Sequence, residues 1–316
     1  MSVPKISVCI VTYNQVNYIQ KCVESILQQQ VNCDFEVIVG DDASTDGTRD
    51  VLLQLQQQYP TQLKLVLHDK NVGPINNYFS VHNQAQGEFV SHLDGDDYAL
   101  PGKLQVLKDF LEENDDCRIV WHRMVILNEK GQTAVGMPLV PLKQSTGLDK
   151  FYLKDLAKFY SMTGCHSGSM YRRAAKKLTG YDKPTIDYYI TLTFVQDGGY
   201  AAYIDEPYGV YRFFKQDKTL TRQKGNMYVG LAKLDFIEHM LSQGIPLNRE
   251  FAAQTLFELF VRSYLRYPLK WRFFKLFLRC RALPRFSDLK LLWTVFNNSR
   301  NTSKQKAFLK GYSGKI

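Results

Sequence analysis

Phe89-Val90-Ser91-His92-Leu93-Asp94-Gly95-Asp96-Asp97 is a short apolar run that ends in three carboxylates within four residues. The run reads as a buried strand that stops at an acidic turn. Carboxylates this close repel one another unless a cation offsets them. Oxygen-only donors favour a hard ion, Mg2+ or Mn2+, over zinc, and so few protein ligands leave room for a substrate diphosphate on the same ion. The same residues also suit an ordinary acidic turn, because Asp and Gly are common there. The segments that precede them decide between the two readings.

Working back toward the N-terminus, apolar runs alternate with helical spacing. Ile6 to Val11 reads as a strand, followed by the polar turn Thr12-Tyr13-Asn14. Ile19, Val23, Ile26 and Leu27 share one face of a helix placed between Val16 and Gln29. Phe35 to Val39 is the next strand, and Gly40 to Gly47 a loop rich in cap and turn residues. A helix over Thr48–Gln58, a strand over Leu63–Leu67 and a helix over Pro74–Ala85 lead to the Phe89 strand. Strands alternating with helices predict an α/β fold with a largely parallel sheet, and ligands bind such sheets beyond the C-terminal strand ends. Thr12-Tyr13-Asn14, Asp41-Asp42 and Asp94-Gly95-Asp96 all fall at such ends, so the spacing puts them on one rim.

Downstream, a helix is expected from Pro101 to Asn114, a strand over Arg118–Leu127 and a loop over residues 131–147, suited to an acceptor-side lid. A helix over Leu148–Tyr160, a strand over His166–Arg172, a helix over Ile186–Gln196 and two short strands around Pro207 follow. Past Met227 the pattern is helical throughout.

The chain has 316 residues, 45% of them hydrophobic and 22% charged, as in ordinary globular proteins. No stretch approaches the roughly 18 consecutive apolar residues of a membrane span, and Ile6–Val11 is too short for the core of a signal peptide. Six scattered cysteines without a CxxC pair argue against a zinc site and a disulfide scaffold, and for a reducing, cytoplasmic location. Charge is uneven. Residues 251–316 hold 14 of the 40 Lys and Arg but only two acids, Glu258 and Asp288, for a balance of +12; residues 1–250 carry −3, which gives the net +9.

Taken together, the rim motifs resemble the family 2 glycosyltransferases, which adopt the GT-A fold. The likeness rests on Ile6 to Asn14, Val39-Gly40-Asp41-Asp42-Ala43-Ser44-Thr45-Asp46-Gly47-Thr48, Asn71-Val72-Gly73, Ala85-Gln86-Gly87-Glu88 and Leu93 to Asp97, in that order. It continues through Asp187-Tyr188, Gly199-Tyr200, Ile204-Asp205-Glu206-Pro207 and Val210-Tyr211-Arg212, and covers roughly residues 5–215. The resemblance implies a Rossmann-like, mixed but mainly parallel sheet flanked by helices over residues 1–222; beyond it, pattern and charge read as a helical basic region over 223–316. It also implies an inverting sugar transfer from a UDP- or dTDP-sugar to a saccharide acceptor in surface polysaccharide synthesis.

The implied donor site consists of Thr12, Tyr13, Asn14, Asp41, Asp42, Asn71, Gly73, Asp94, Gly95 and Arg212. Tyr13 offers a face for base stacking, and Asp41 an acceptor for the N3 proton of uracil or thymine. Asp94 faces the ribose or the metal, and Asp96 ligates the Mg2+ or Mn2+ that bridges the phosphates. Asp187 is the candidate base that takes the acceptor's proton. Each position also has a plainer reading: Asp41 or Asp42 as a cap of the helix at Thr48, Tyr13 as a rim aromatic, Asp187 as a helix N-terminal acid. Many relatives follow the Tyr-Arg pair with a His, whereas here Phe213-Phe214-Lys215 follows. Arg212 and Lys215 can then neutralise phosphate directly. His166 is a further candidate contact for phosphate or acceptor.

Near the C-terminus, Tyr264 to Arg279 mixes cations with large apolar side chains. Leu269, Phe273, Phe274 and Phe277 can share a helical face, a pattern suited to an anionic membrane surface and a lipid-linked acceptor on the inner face of the cell membrane. The alternative for the same helices is packing or a homodimer contact. No nucleic-acid motif accompanies the charge. Two other functions compete. A nucleotidylyltransferase would carry a Gly-rich basic loop where this chain has Thr12-Tyr13-Asn14-Gln15. A membrane-attached scaffold without turnover would not need Asp94, Asp96 and Asp187.

Overall fold

The computed structural model describes residues 3–128, 133–137, 143, 147–158, 164–176, 187–213, 231, 234–235, 238–239, 242, 269–279, 283–290 and 293. These fall into two compact units whose segments interleave along the chain. The first holds residues up to 137, 164–176 and 199–213; the second holds 143, 147–158, 187–198 and the described residues from 231 onward. The division expected at 222 lies outside the described residues.

The first unit runs β1 (Ile6–Thr12), α1 (Ile19–Leu27), β2 (Phe35–Asp41), α2 (Thr48–Gln58), β3 (Leu63–Leu67), α3 (Pro74–His82), β4 (Phe89–Asp94), β5 (Tyr98–Ala99), α4 (Lys103–Glu113), β6 (Cys117–Asn128) and β7 (Thr133–Met137). A 3-10 turn at His166–Gly168, β8 (Ser169–Arg172) and β9 (Tyr200–Phe213) complete it. The sheet order is β3-β2-β1-β4-β8-β6-β9-β5, with β7 paired to β6. Strands β1 to β4 pair in parallel, as do β6 and β9, whereas β8 lies antiparallel between β4 and β6. The sheet is therefore mixed and mainly parallel, as expected.

The parallel strands read as continuous apolar runs because both faces are covered. Val8, Ile10, Val37, Val39, Phe89 and Leu93 are buried in one cluster with Ile19, Val23 and Ile26 of α1 and Leu104, Leu107 and Leu111 of α4. Each such side chain contributes about 1.5–3 kcal/mol on burial. Gly40 sits where α3 presses on β2: a Cβ there would collide with Asn77 Oδ1 and Val81 Cγ2.

Several boundaries differ from the sequence reading. Within residues 131–147, expected to be a loop, Thr133–Met137 forms β7 on the edge of β6. Residues 166–168 form a 3-10 turn before β8 instead of extending it. Around Pro207 there is one long strand, not two. Proline cannot donate to the ladder, and the register of β9 on β6 shifts on both sides of Pro207 instead of breaking.

The second unit contains α5 (Leu153–Lys158), α6 (Asp187–Val195) and α7 (Leu269–Arg279). On α7, Leu276 is buried while Trp271, Phe274 and Leu278 are exposed. Of the set expected to share a face, Phe274 is exposed and Phe277 half-buried, while the side chains of Leu269 and Phe273 lie outside the described residues. Lys275 Nζ lies 5.6 Å from the Trp271 ring centre, and Arg272 pairs with Asp235 and Glu238. No helix among the described residues is long and apolar enough to cross a membrane.

Candidate functional site

The chain leaves β1 toward β2 and β3 on one side and returns through β4 on the other, which makes the β1–β4 boundary the switch point of the sheet. Thr12 is level with Asp41 on β2, and Val11 with Asp94 on β4. Three of the predicted motifs therefore meet on one rim.

The β1 turn is tied to the loop after β2. Asn14, in left-handed backbone (φ 54°) that Asn tolerates, receives Thr45 N–H on Oδ1 at 2.8 Å and donates its own N–H to Ser44 Oγ at 2.9 Å. Gln15 N–H reaches Thr48 Oγ1 at 2.9 Å, and Val16 N–H reaches Asp46 Oδ2 at 3.1 Å. Asp46 also accepts from Thr48 N–H at 3.0 Å, so the acid at the start of α2 is Asp46, neither Asp41 nor Asp42. Burial opposes ionisation of Asp46, but these donors outweigh it and hold the carboxyl below its usual range. Tyr13 stands 47% exposed beside this loop, open to a stacking partner.

Asp41 and Asp42 are both buried. Arg49 Nε donates to Asp41 Oδ2 at 2.9 Å, and Ser44 N–H approaches both carboxylate oxygens at 3.3 Å. Asp41 is thus held by Arg49 and Ser44 at the base of the loop. Asp42 accepts Val72 N–H at 2.6 Å and Gly73 N–H at 3.0 Å, and its carbonyl accepts from Asn71 Nδ2 at 3.2 Å. Asp42 therefore brings Asn71 and Gly73 to the rim, the first through its carbonyl and the second through its carboxylate. Gly73 adopts φ 87°, which glycine allows, and Pro74 starts α3 behind it.

At the end of β4, Gly95 lies under the β1 turn. A Cβ there would meet Gln15 Oε1 at 2.5 Å and Thr12 Cβ at 2.8 Å. Asp94 and Asp96 are half-buried and Asp97 is buried. Asp97 Oδ1 accepts Arg212 N–H at 2.9 Å, which brings Arg212 to the cluster, its guanidinium 4.9 Å over Tyr18 and 5.1 Å over Tyr98.

Asp94 is gripped at both oxygens. His92 Nε2 lies 3.1 Å from Oδ1, and Ser167 Oγ donates to Oδ2 at 3.2 Å. Burial works against its charge, but the His92 hydrogen bond, the neighbouring His92 and His166 and the Ser167 hydroxyl hold it at about 2. Sequence reasoning missed this grip, because Ser167 lies 73 residues from Asp94.

The donors suit a divalent ion. Asp97 Oδ2 is buried without a hydrogen-bond partner among the described residues. Burial, then the charges of Asp96 and Asp94, push Asp97 well above the carboxylate range, the mark of crowded negative charge that a cation relieves. His92, Asp94 and His166 also bring possible ligand atoms within 4.8 Å of one another. His92 already engages both ring nitrogens, with His82 and Asp94. The half-buried oxygens of Asp94 and Asp96 are the donors that fit Mg2+ or Mn2+. Asp187 is the first residue of α6, in the second unit; its side chain lies outside the described residues.

A polar rim at the switch point of a mixed α/β sheet defines a nucleotide-binding class of architecture. The sequence profile of glycosyl transferase family 2 matches residues 7–179. A Campylobacter jejuni protein named GalNAc(5)-diNAcBac-PP-undecaprenol beta-1,3-glucosyltransferase is 30% identical over 231 residues, 71% of this chain and 70% of its own length. An uncharacterised Mycobacterium tuberculosis protein is 26% identical over 212 residues, and this chain spans only 58% of its length. Among solved structures, S. aureus TarS 1-349 covers 99% of this chain and 76% of its own with a TM-score of 0.53 at 22% identity. Mannosyltransferase PcManGT from Pyrobaculum calidifontis, in complex with GDP-Man and Mn2+, covers 100% of this chain and 77% of its own with a TM-score of 0.51 at 14% identity. Likeness at these identities shows a shared GT-A-like fold. With the profile covering more than half of its residues, this chain belongs to glycosyl transferase family 2.

Proposed function

We propose that the chain transfers a sugar from a UDP-sugar to a lipid-linked saccharide, with inversion at the anomeric carbon. The observation that carries this reading is the convergence of the Thr12–Asn14 turn, the Asn71–Gly73 loop and Asp94-Gly95-Asp96 on one rim. Tyr13 stacks on the base, and Arg212 lies beside the acidic cluster to meet phosphate charge. Asp94 and Asp96 would hold Mg2+ or Mn2+, which when bound supplies Lewis-acid stabilisation of the departing diphosphate. Asp187 takes the proton of the acceptor hydroxyl as its oxygen bonds to the anomeric carbon and the sugar–phosphate bond breaks, releasing UDP. A UDP donor accords with TarS 1-349, which has been solved in complex with UDP-GlcNAc.

A lipid carrier is supported by two observations. The Campylobacter relative is named for an acceptor on PP-undecaprenol. Helix α7 presents Trp271, Phe274 and Leu278 with Lys270, Lys275 and Arg279, a combination that favours an anionic membrane surface and so a place on the inner face of the membrane. Incubation with a panel of UDP-sugars, Mn2+ and undecaprenyl-linked saccharides tests the reading. Transfer is expected from one donor, and Asp187→Asn should abolish it while leaving UDP binding nearly intact. Undiminished transfer by Asp187→Asn would reject the assignment of the base.

A further inference from the structure

Behind Asp94 lies a line of buried rings. Tyr171 OH is 2.7 Å from His82 Nδ1, His82 Nε2 is 2.9 Å from His92 Nδ1, and His92 Nε2 is 3.1 Å from Asp94 Oδ1. Tyr171, His82 and His92 are buried, at 1%, 2% and 1% exposure. Ring stacking fixes their planes: Tyr78 lies on His82 with centroids 3.8 Å apart, and His166 on His92 at 3.8 Å. We propose that Tyr171, His82 and His92 form a hydrogen-bonded relay that positions the Asp94 carboxylate for donor binding.

A carboxylate oxygen accepts, so the His92 ring donates from Nε2 to Asp94 Oδ1. His82 engages the other ring nitrogen of His92, and the Tyr171 hydroxyl the other ring nitrogen of His82, so each ring is held at both nitrogens. Linked hydrogen bonds of this kind reinforce one another.

A second brace acts on the other oxygen. Ser167 Oγ donates to Asp94 Oδ2, and the Ser167 carbonyl accepts from the fully buried Lys103 Nζ at 2.7 Å. The same ammonium approaches the His92 carbonyl at 3.4 Å. With both oxygens held, the carboxylate cannot rotate when a ribose or metal-bound phosphate arrives, so its orienting cost falls before binding. Tyr171, His82 and His92 touch no substrate in this scheme; they are positioning residues.

The purpose of the relay rests on the donor site proposed above, so the test has two independent parts. In the full chain labelled with 15N-histidine and free of ligand, long-range proton–nitrogen NMR at pH 8 should show His92 with a proton on Nε2. A His92 ring without a proton on Nε2 would overturn the relay. The second part measures UDP affinity in Mn2+ by calorimetry. Partners of this kind typically change metal affinity by roughly 10–100-fold, so His92→Phe should weaken binding by that much. His92→Gln, which keeps an amide N–H near the Nε2 position, should restore most of it, a recovery that ring packing alone does not explain. Equal affinity in wild type and His92→Phe would overturn the positioning role. A proton on His92 Nε2 in a protein that binds no UDP would support the relay and overturn the donor reading instead.

Discussion

Replacing Gly95 by Ala should both loosen the fold and weaken the site. The new Cβ would lie 2.5 Å from Gln15 Oε1, 2.8 Å from Thr12 Cβ and 2.9 Å from Thr12 Oγ1. Gly95 is not in left-handed backbone, so the effect is one of space alone. The Gln15 side chain can swing aside at the loss of its hydrogen bond with Thr12 Oγ1. Thr12 Cβ cannot, because β1 is paired on both sides, to β2 and to β4. Overpacking of this kind costs about 1–3 kcal/mol. At ~2 kcal/mol, and about 2–4 °C per kcal/mol for a domain of this size, the melting temperature should fall by roughly 4–8 °C. Donor binding needs the native turn, so recovering ~1.4 kcal/mol of that strain would weaken UDP affinity by about tenfold. Calorimetric melting and titration with UDP in Mn2+ measure the two effects on one sample. Adding Gln15→Ala should return part of the stability, since it removes the nearest obstacle. A Gly95→Ala protein that melts within about 1 °C of wild type and binds UDP equally well would refute the claim that the β1 and β4 ends are packed to contact.

Three further outcomes are expected. Burial, then the charge of Lys103, depresses buried His122 to about 3 from its ordinary 6.5. The unfolded chain therefore takes up that proton first, and the stabilisation is complete above about pH 6.5 and lost as pH falls toward 3, by about 2 kcal/mol at pH 5; urea unfolding of His122→Leu should lack this part of the slope, and an unchanged slope would contradict it. Asp42→Asn places an amide group against the Val72 or Gly73 N–H and should lower stability by about 2–3 kcal/mol in urea, with looser binding of UDP; wild-type stability would show that the loop does not depend on that carboxylate. Trp271→Ala with Phe274→Ala and Leu278→Ala should release the full chain from sedimenting anionic liposomes, and retention would remove α7 from the membrane reading.

Much of the rim was legible because it is built from local signals. Apolar runs of five or six residues that end in Asp, Asn or Gly announced β1, β2 and β4, and parallel pairing brought their C-terminal ends together. What was not legible depends on distant contacts. Nothing near Asp94 in sequence announces Ser167 or Tyr171, and His82 and His92 look like two isolated residues until α3 is laid on the sheet. Arg49 occupies Asp41 from a helix that periodicity placed correctly but could not aim. Pro207 suggested a break, yet the long partner β6 carries the pairing past it with a shifted register. On α7, spacing announced Phe274 but not Trp271 and Leu278, which stand exposed beside it, because the choice of buried face belongs to tertiary packing.

The central claim is that the β1, β2 and β4 ends form a metal-dependent site for a nucleoside diphosphate. Isothermal titration of UDP into the full chain, with Mn2+ and with EDTA, tests it directly, beside Asp94→Asn combined with Asp96→Asn. Binding should need Mn2+ and weaken by about 100-fold or more in the double variant. UDP uptake that is indifferent to both the ion and the two carboxylates, or no uptake by the wild type in Mn2+, would contradict it.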